Sequence, residues 1–458
     1  MKNKLILILI VLMSTMIIAW NAIKFDQNGS DNKLVLVEVI SSPHRSKLLR
    51  QQLDDFENRH PGIKVEVISL PWGQAFEKLS MMVRGGTIPD VIEMPDFWAS
   101  RYIKAGLLEN IQSRFEHSLL NTDFSPDLLK YAHLKRAQGL FVLPYGSYLR
   151  ALVYNKKIFA AAGIKKLPVT FDDFVKVSAK ISQLPDKYGF CFHGARGGAV
   201  FFYWLATTMN GSVEHFDNHH QSIFNKANVI EALKTIKEMY LKGYFPKDSI
   251  NWGFNETVAG FYANQCAMLH QSPDALLALK KRMRDEDYAS MPMPLGPSGK
   301  SFPHLGFIGW SIFKQSSKKD QAWLLIEHLL SKANNKAWSI QAGIVPVYTE
   351  VAKNIFAKGE HNQGWYKEIA DDRWQYMINP NYLDGIDYFD SVIMIQSAQE
   401  MLLGSKTVEE VAAIWADYLT DAEQKWLKQQ NKTSKNEPLN HRALNHQNQE
   451  KYNDSEQK

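Results

Sequence analysis

Asp96 stands beside Phe97 and Trp98 in the run MPDFW, Met94 to Trp98. A carboxylate next to aromatic rings suits a polyhydroxylated guest: the acid accepts paired hydroxyl hydrogen bonds while a ring covers an apolar sugar face. The same two rings would serve equally well to start a helix and fill core. His44 and Arg45, in SSPHRS, and Arg196, in GARGG, are basic groups that would favour an anion. GARGG lacks the lysine and the spacing of a phosphate-binding P-loop, and Arg196, Tyr203 and Trp204 read instead as the lining of a pocket. His215, Asp217, His219 and His220 form a tempting metal cluster, but no further ligand follows at the usual spacing on a helix, so they read as a solvated loop. Asp172 and Asp173 point to different sides of a helix and complement its dipole rather than forming an acid–base pair. No nucleophile with its base and no nucleotide loop stands out, which favours binding over chemistry.

These residues sit at the ends of readable elements. Leu34 to Ile40 is a continuous apolar run, as in a strand covered on both faces. Leu48 to Arg59 has helical spacing, Ile63 to Leu70 alternates as a half-buried strand, Gln74 to Arg84 is helical and Asp90 to Glu93 is a third strand. The order β, α, β, α, β predicts a parallel sheet with right-handed crossovers. His44, Arg45 and Asp96 then fall just past the carboxyl ends of strands, where open α/β sheets place ligands.

The stretch GLFVLPYGSYLRALVYNKKIFAAAGI, Gly139 to Ile164, organises the rest. Gly139 to Leu143 reads as a short strand that Pro144 ends, because proline cannot donate to a ladder. A second strand follows from Leu149 to Tyr154, then a helix from Lys156 capped by Asn155. This is either a crossing between two lobes, with Tyr145 and Tyr148 in the gap, or a turn inside one sheet. Further on, Pro168 to Ser182 is helical with Thr170 as its cap, and Ala199 to Met209 is a helix rich in aromatics. Met291 to Gly299, MPMPLGPSG, must be irregular and fits a second crossing; Ala342 to Val347 is a third irregular link.

The chain has 458 residues, enough for two or three domains. Its net charge of +5 includes Lys2 and Lys4, so loss of a leader would leave +3, too mild for a nucleic-acid partner. Those two lysines followed by the apolar run Leu5 to Trp20 have the form of an export signal, and an uncleaved anchor stays open. No cysteine follows that run. Cys191 and Cys266 are the two cysteines, and a disulfide or two buried thiols both fit. From Gln429 onward the chain is polar and reads as a disordered tail.

Taken together the pieces resemble the extracellular solute-binding proteins of the carbohydrate class (family 1), which deliver substrate to ABC importers. The matching pieces are FENRHPGIKVEV, GGTIPDVIEMPDFWASRYIKAGLLENI, LPYGSYLRALVYNKKIFAAAGI with LPVTFDDF, FYANQCAMLH, PMPLGPSGKS with FIGWSIFKQSSKKDQAWLLIEHLLS, and AGIVPV. The resemblance implies an α/β fold of the two-lobed periplasmic binding protein type (type II), with a hinge of three crossings near Tyr145, near Pro294 and after Ser331. It divides the chain into a leader over residues 1–23, lobe 1 over 34–145 and 295–332, lobe 2 over 146–294 and 333–428, and a tail over 429–458. It implies a sugar, and from the abundance of rings an oligosaccharide, held in the cleft between lobes by Asp96, Trp98, Tyr145, Trp204, Trp252, Gly306, Phe307 and Tyr382; His44, Arg45 and Arg196 are further ligand candidates read from the residues themselves and not from the resemblance. The glycine pair familiar in the family after the second crossing is here Leu305 and Gly306. The implied setting is a monomer free in the periplasm that docks on ABC permease subunits, with no enzymatic activity, no cofactor and no metal. Three rival readings are a binding protein for a polar non-sugar solute such as a glycerol phosphodiester, an envelope carbohydrate-active enzyme, and a membrane-tethered sensor partner that keeps the Leu5 to Trp20 segment.

Overall fold

The structure, a computed structural model, describes residues 33–133, 139–357 and 359–436. The leader or anchor over residues 1–23 and the chain beyond residue 436 lie outside the described residues. In chain order the strands are β1 (Lys33–Glu38), β2 (Lys64–Ser69), β3 (Val91–Pro95), β4 (Leu143–Leu149), β5 (Ala151–Asn155), β6 (Tyr188–Cys191), β7 (Cys266–Gln271), β8 (Tyr288–Met291) and β9 (Leu305–Ile312).

The chain forms two compact units, residues up to Ser147 with Phe307–Ala352, and Tyr148–Gly306 with residues from Lys353 on. It therefore passes from one unit to the other after Ser147, after Gly306 and after Ala352. The second passage lies beyond the proline-rich stretch that the sequence offered for it, and the third lies well past Ser331. Bonds between residues far apart in sequence keep the stretch after Ser331 in the first unit. Helix Lys332–Ala342 is tied to the first unit by Asn335, whose Nδ2 donates to the Tyr145 carbonyl at 2.6 Å and whose Oδ1 accepts from Val347 N at 3.2 Å. Gln52 Nε2 adds a bond to the Asn334 carbonyl at 3.0 Å.

The first unit's sheet has the order β2-β1-β3-β9-β4. β1 runs parallel to β2 and β3, as the alternation of strands and helices predicts, while β3 and β9 are antiparallel. Pro144 does not end a strand as expected; β4 begins at Leu143 and runs through it. A proline is tolerated there because β4 is an edge strand, where one side needs no donor. At Gly309 of β9 an added Cβ would meet the Leu143 carbonyl oxygen at 2.3 Å, so only glycine lets β9 lie this close to its neighbour. Leu34, Leu36, Ile92 and Met94 of the sheet and Leu53 and Phe56 of helix Pro43–Arg59 are sealed in this unit's core.

The second unit's sheet has the order β6-β7-β5-β8, with β6 and β7 parallel and β5 antiparallel to both β7 and β8. Helix Phe171–Ile181 starts on a capping box in which Thr170 and Asp173 satisfy each other's backbone N–H. Helix Ala199–Asn210 is buried on nearly every side, which accounts for its run of aromatic residues. Cys191 and Cys266 form a disulfide joining the end of β6 to the start of β7. The last helix runs from Val408 to Asn436, so residues 429–436 of the expected disordered tail are helical. Gln and Lys are good helix formers, and extending a helix already nucleated by packing costs little.

Candidate functional site

In the first unit the carboxyl ends of β1, β2 and β3 carry a buried polar centre and an aromatic shelf. The centre is Glu93, fully buried on β3. Its carboxylate accepts from the backbone N–H groups of Val39 at 2.7 Å and Ile40 at 2.9 Å. Arg45 Nη2 donates to it at 2.9 Å, and the Tyr145 hydroxyl donates to it as well. Arg45 closes the triangle with bonds to the Tyr145 hydroxyl at 2.9 Å and the Ile40 carbonyl at 3.0 Å, and its guanidinium lies 4.8 Å from the centre of the Trp338 ring. The structure thus brings Arg45 and Tyr145 together, around an acid that the sequence reading left as the end of a strand. The signal was there: an acid inside the apolar run VIEMP must be buried with a partner. Nearby Glu38 is held above the usual carboxylate range by burial, although Ser46 and Ser69 donate to it.

The shelf is built by the starts of helices Trp72–Arg84 and Asp96–Lys104. Trp98 is 2% exposed, and Trp72 stacks on it at 5.5 Å with the rings 11° from parallel. Phe76 and Phe97 pack against the same indole at 5.2 and 5.8 Å. The open ring is therefore that of Trp72, 41% exposed, rather than Trp98. Trp72 reads in the sequence as part of a turn, because Pro71 and Gly73 flank it. Asp96 is buried at the first turn of its helix, where a carboxylate also meets the positive end of the helix dipole. His44 is exposed one residue into helix Pro43–Arg59.

In the second unit, Trp204 is 1% exposed, donates its indole N–H to Ser301 Oγ at 3.0 Å and packs on Phe171 and Phe201. Trp252 is half-buried with its ring over Gly260, where a Cβ would come within 2.6 Å of it. The Tyr382 hydroxyl donates to Glu423 at 2.8 Å and its ring packs edge-on against Trp426, so this tyrosine braces the last helix. Gly306 and Phe307 lie in β9, both buried, where the chain passes between units. The Arg196 side chain is exposed and its carbonyl faces His193.

A second polar group escaped the sequence reading. Arg150, just ahead of β5, donates through Nη1 to Gln271 Oε1 at the end of β7, and its backbone N–H donates to the His304 carbonyl at 3.2 Å. Gln271 Nε2 in turn faces His193 Nδ1 at 3.3 Å, and His193 Nε2 donates to the Arg196 carbonyl at 3.0 Å. Burial and then the Arg150 charge hold His193 down at about 4 and His304 at about 3, and keep His270 well below the usual imidazole range. All three are neutral at physiological pH. Arg150 itself is lowered by burial, with Asp274 acting against that.

The family model described as bacterial extracellular solute-binding protein matches residues 41–336 of this chain. The erythritol/L-threitol-binding protein of Mycolicibacterium smegmatis is 23% identical over 360 residues, covering 73% of this chain and 75% of that one. Maltose-bound MalE3 of T. maritima shares the fold with a TM-score of 0.70 at 21% identity, covering 84% of this chain and 98% of that one. An ABC transporter solute-binding protein of Thermotoga lettingae bound with α-D-tagatose superposes with a TM-score of 0.72 at 20% identity, covering 85% and 99%.

Proposed function

Because the chain belongs to the bacterial extracellular solute-binding protein family, we propose that it is the sugar-binding component of an ABC importer, free in the periplasm, and that it hands its ligand unchanged to the membrane permease. The observation that carries the reading is the open Trp72 ring, stacked on Trp98 and edge-on to Phe97, the residue that follows the buried Asp96 at the carboxyl edge of the first unit's sheet. A flat apolar plate next to a carboxylate matches the two faces of a pyranose, one of C–H groups and one of hydroxyls. Relatives that bind a four-carbon polyol, a hexose and a disaccharide support the class. Trp98, Tyr145 and Arg45 position this edge, and among the second unit's candidate groups Trp252 is half-buried and Arg196 exposed.

Thermal-shift screening of the purified protein against polyols, monosaccharides and oligosaccharides tests the proposal, since a ligand of the folded state stabilises by RT ln(1 + [L]/Kd). The expected result is a saturable rise with one saccharide class, and recovery of that saccharide chemically intact. A rise with glycerol phosphodiesters and with no saccharide would overturn it, as would turnover of the bound sugar.

A further inference from the structure

The group around Arg150 has more hydrogen-bonding capacity than its own unit uses. Among the described residues, Arg150 Nε, His270 Nε2 and His304 Nδ1 have no hydrogen-bond partner. His270 is 4% exposed, with Phe201 and Trp204 packed against its ring. A buried polar atom left without a partner costs about 1–3 kcal/mol, so its presence calls for a ligand or water that completes it. The Arg150 backbone bonds the His304 carbonyl, its guanidinium bonds Gln271, which follows His270 in β7, and Gln271 faces His193, so the four residues lie in one neighbourhood.

The orientation of the guanidinium is fixed by a relay. The Arg196 carbonyl can only accept, so His193 carries its proton on Nε2 and leaves Nδ1 to accept from Gln271. That turns Gln271 Oε1 toward Arg150, and Thr257 Oγ1, 3.4 Å from Gln271 Nε2, supports the same amide orientation. The place lies at the carboxyl ends of the parallel strands β6 and β7, where such sheets present ligands. Among the described residues no His, Cys, Asp and Glu group is disposed to hold a metal ion, and a guanidinium in the middle would repel one.

We propose that Arg150, with the imidazoles of His270 and His304, receives the carboxylate of an acidic saccharide, so that the ligand is a uronate-containing sugar rather than a neutral one. This rests on the saccharide-binding reading above and narrows it. A guanidinium fork matches a planar carboxylate in shape and charge. A phosphate dianion fits worse, because a single guanidinium with neutral imidazoles beside it supplies one positive charge against two negative ones. Neutral imidazoles can donate to the carboxylate and to adjacent hydroxyls without adding charge.

The test is calorimetry at pH 7.5 on the purified protein with mixed oligouronides, the same mixture after carboxyl reduction, and a phosphorylated maltooligosaccharide. The expected result is at least tenfold tighter binding of the acid form than of its reduced counterpart. That preference should weaken with salt and disappear in Arg150→Gln. Because the substitution touches a buried relay, the acid-to-reduced ratio measured on the unaltered protein decides the question alone if Arg150→Gln does not fold. Equal or tighter binding of the reduced mixture, or binding of neutral saccharides alone, overturns the carboxylate site and leaves the sugar-binding reading standing. Tighter binding of the phosphorylated sugar overturns the choice of carboxylate. A protein that binds no saccharide of any charge loses both proposals.

Discussion

Arg45→Met should destabilise the first unit strongly and do little to ligand contacts directly. The Arg45 side chain is 9% exposed and its Glu93 partner fully buried, at 2.9 Å. At that separation and an effective dielectric of about 20, the attraction is about 6 kcal/mol, offset by the cost of drying both charges. Removing one partner of such a pair leaves the other charge uncompensated, and the typical loss is about 3–5 kcal/mol. Glu93 would keep the Val39 and Ile40 N–H groups and the Tyr145 hydroxyl, which places the expected value near about 3 kcal/mol. Urea unfolding followed by fluorescence would measure it. The double variant Arg45→Met with Glu93→Gln should recover part of the loss, because a neutral amide needs no counter-charge. A loss under about 1 kcal/mol, accompanied by collapse of saccharide affinity, would refute the reasoning and make the guanidinium a ligand group.

Asp390 gives a pH signature. Burial lifts its carboxyl to about 7 although Tyr203 and Asn379 donate to it. The folded chain thus keeps a proton that the unfolded chain releases from about pH 4 upward, so its contribution is full below that pH and is lost as the pH rises to about 7. Asp390→Asn should leave stability unchanged at pH 4 and raise it by about 2–4 kcal/mol at pH 8.5, toward the lower figure because the residue is only partly buried. Asn379 can turn its unpartnered Oδ1 to the new amide; a variant whose urea midpoint shows no pH-dependent gain refutes this. Trp72→Ala should cost under about 1 kcal/mol of stability and about 2–12-fold in saccharide affinity by titration, since its ring is 41% exposed and stacked on one side only; unchanged affinity would remove it from the site. Cys191→Ser opens a bridge across a separation of 75 residues and should cost about 2–5 kcal/mol, reproduced in the unaltered protein by a thiol reductant. Identical thermal melts with and without reductant would contradict it.

The parts of the fold that follow local periodicity were readable from the chain. β1, β2 and β3, the Thr170 cap and the buried aromatic helix Ala199–Asn210 all follow from spacing and capping residues. What escaped depends on partners far apart in sequence. Arg45 meets Glu93 and Tyr145 across 48 and 100 residues, and no local pattern says which side chain an arginine will find. Pro144 misled because a proline ends a central strand but not an edge strand, and edge position is a property of the whole sheet. Trp72 was hidden by the turn residues on either side of it. The helix Lys332–Ala342 is held to the first unit by the bond from Asn335 to Tyr145, which spans 190 residues and leaves no local trace. Two cysteines allow a bridge or two thiols, and only the closeness of β6 and β7 decides between them.

β9 sits between β3 and β4, yet it is made after the whole of Tyr148–Gly306. Until β9 is made, β3 and β4 have no common neighbour and each would keep an open border on that side. Completion demands closure over a very long span, which slows folding. A polypeptide built in this order stays threadable for most of its synthesis and becomes one finished layer only when residues near Ile312 arrive.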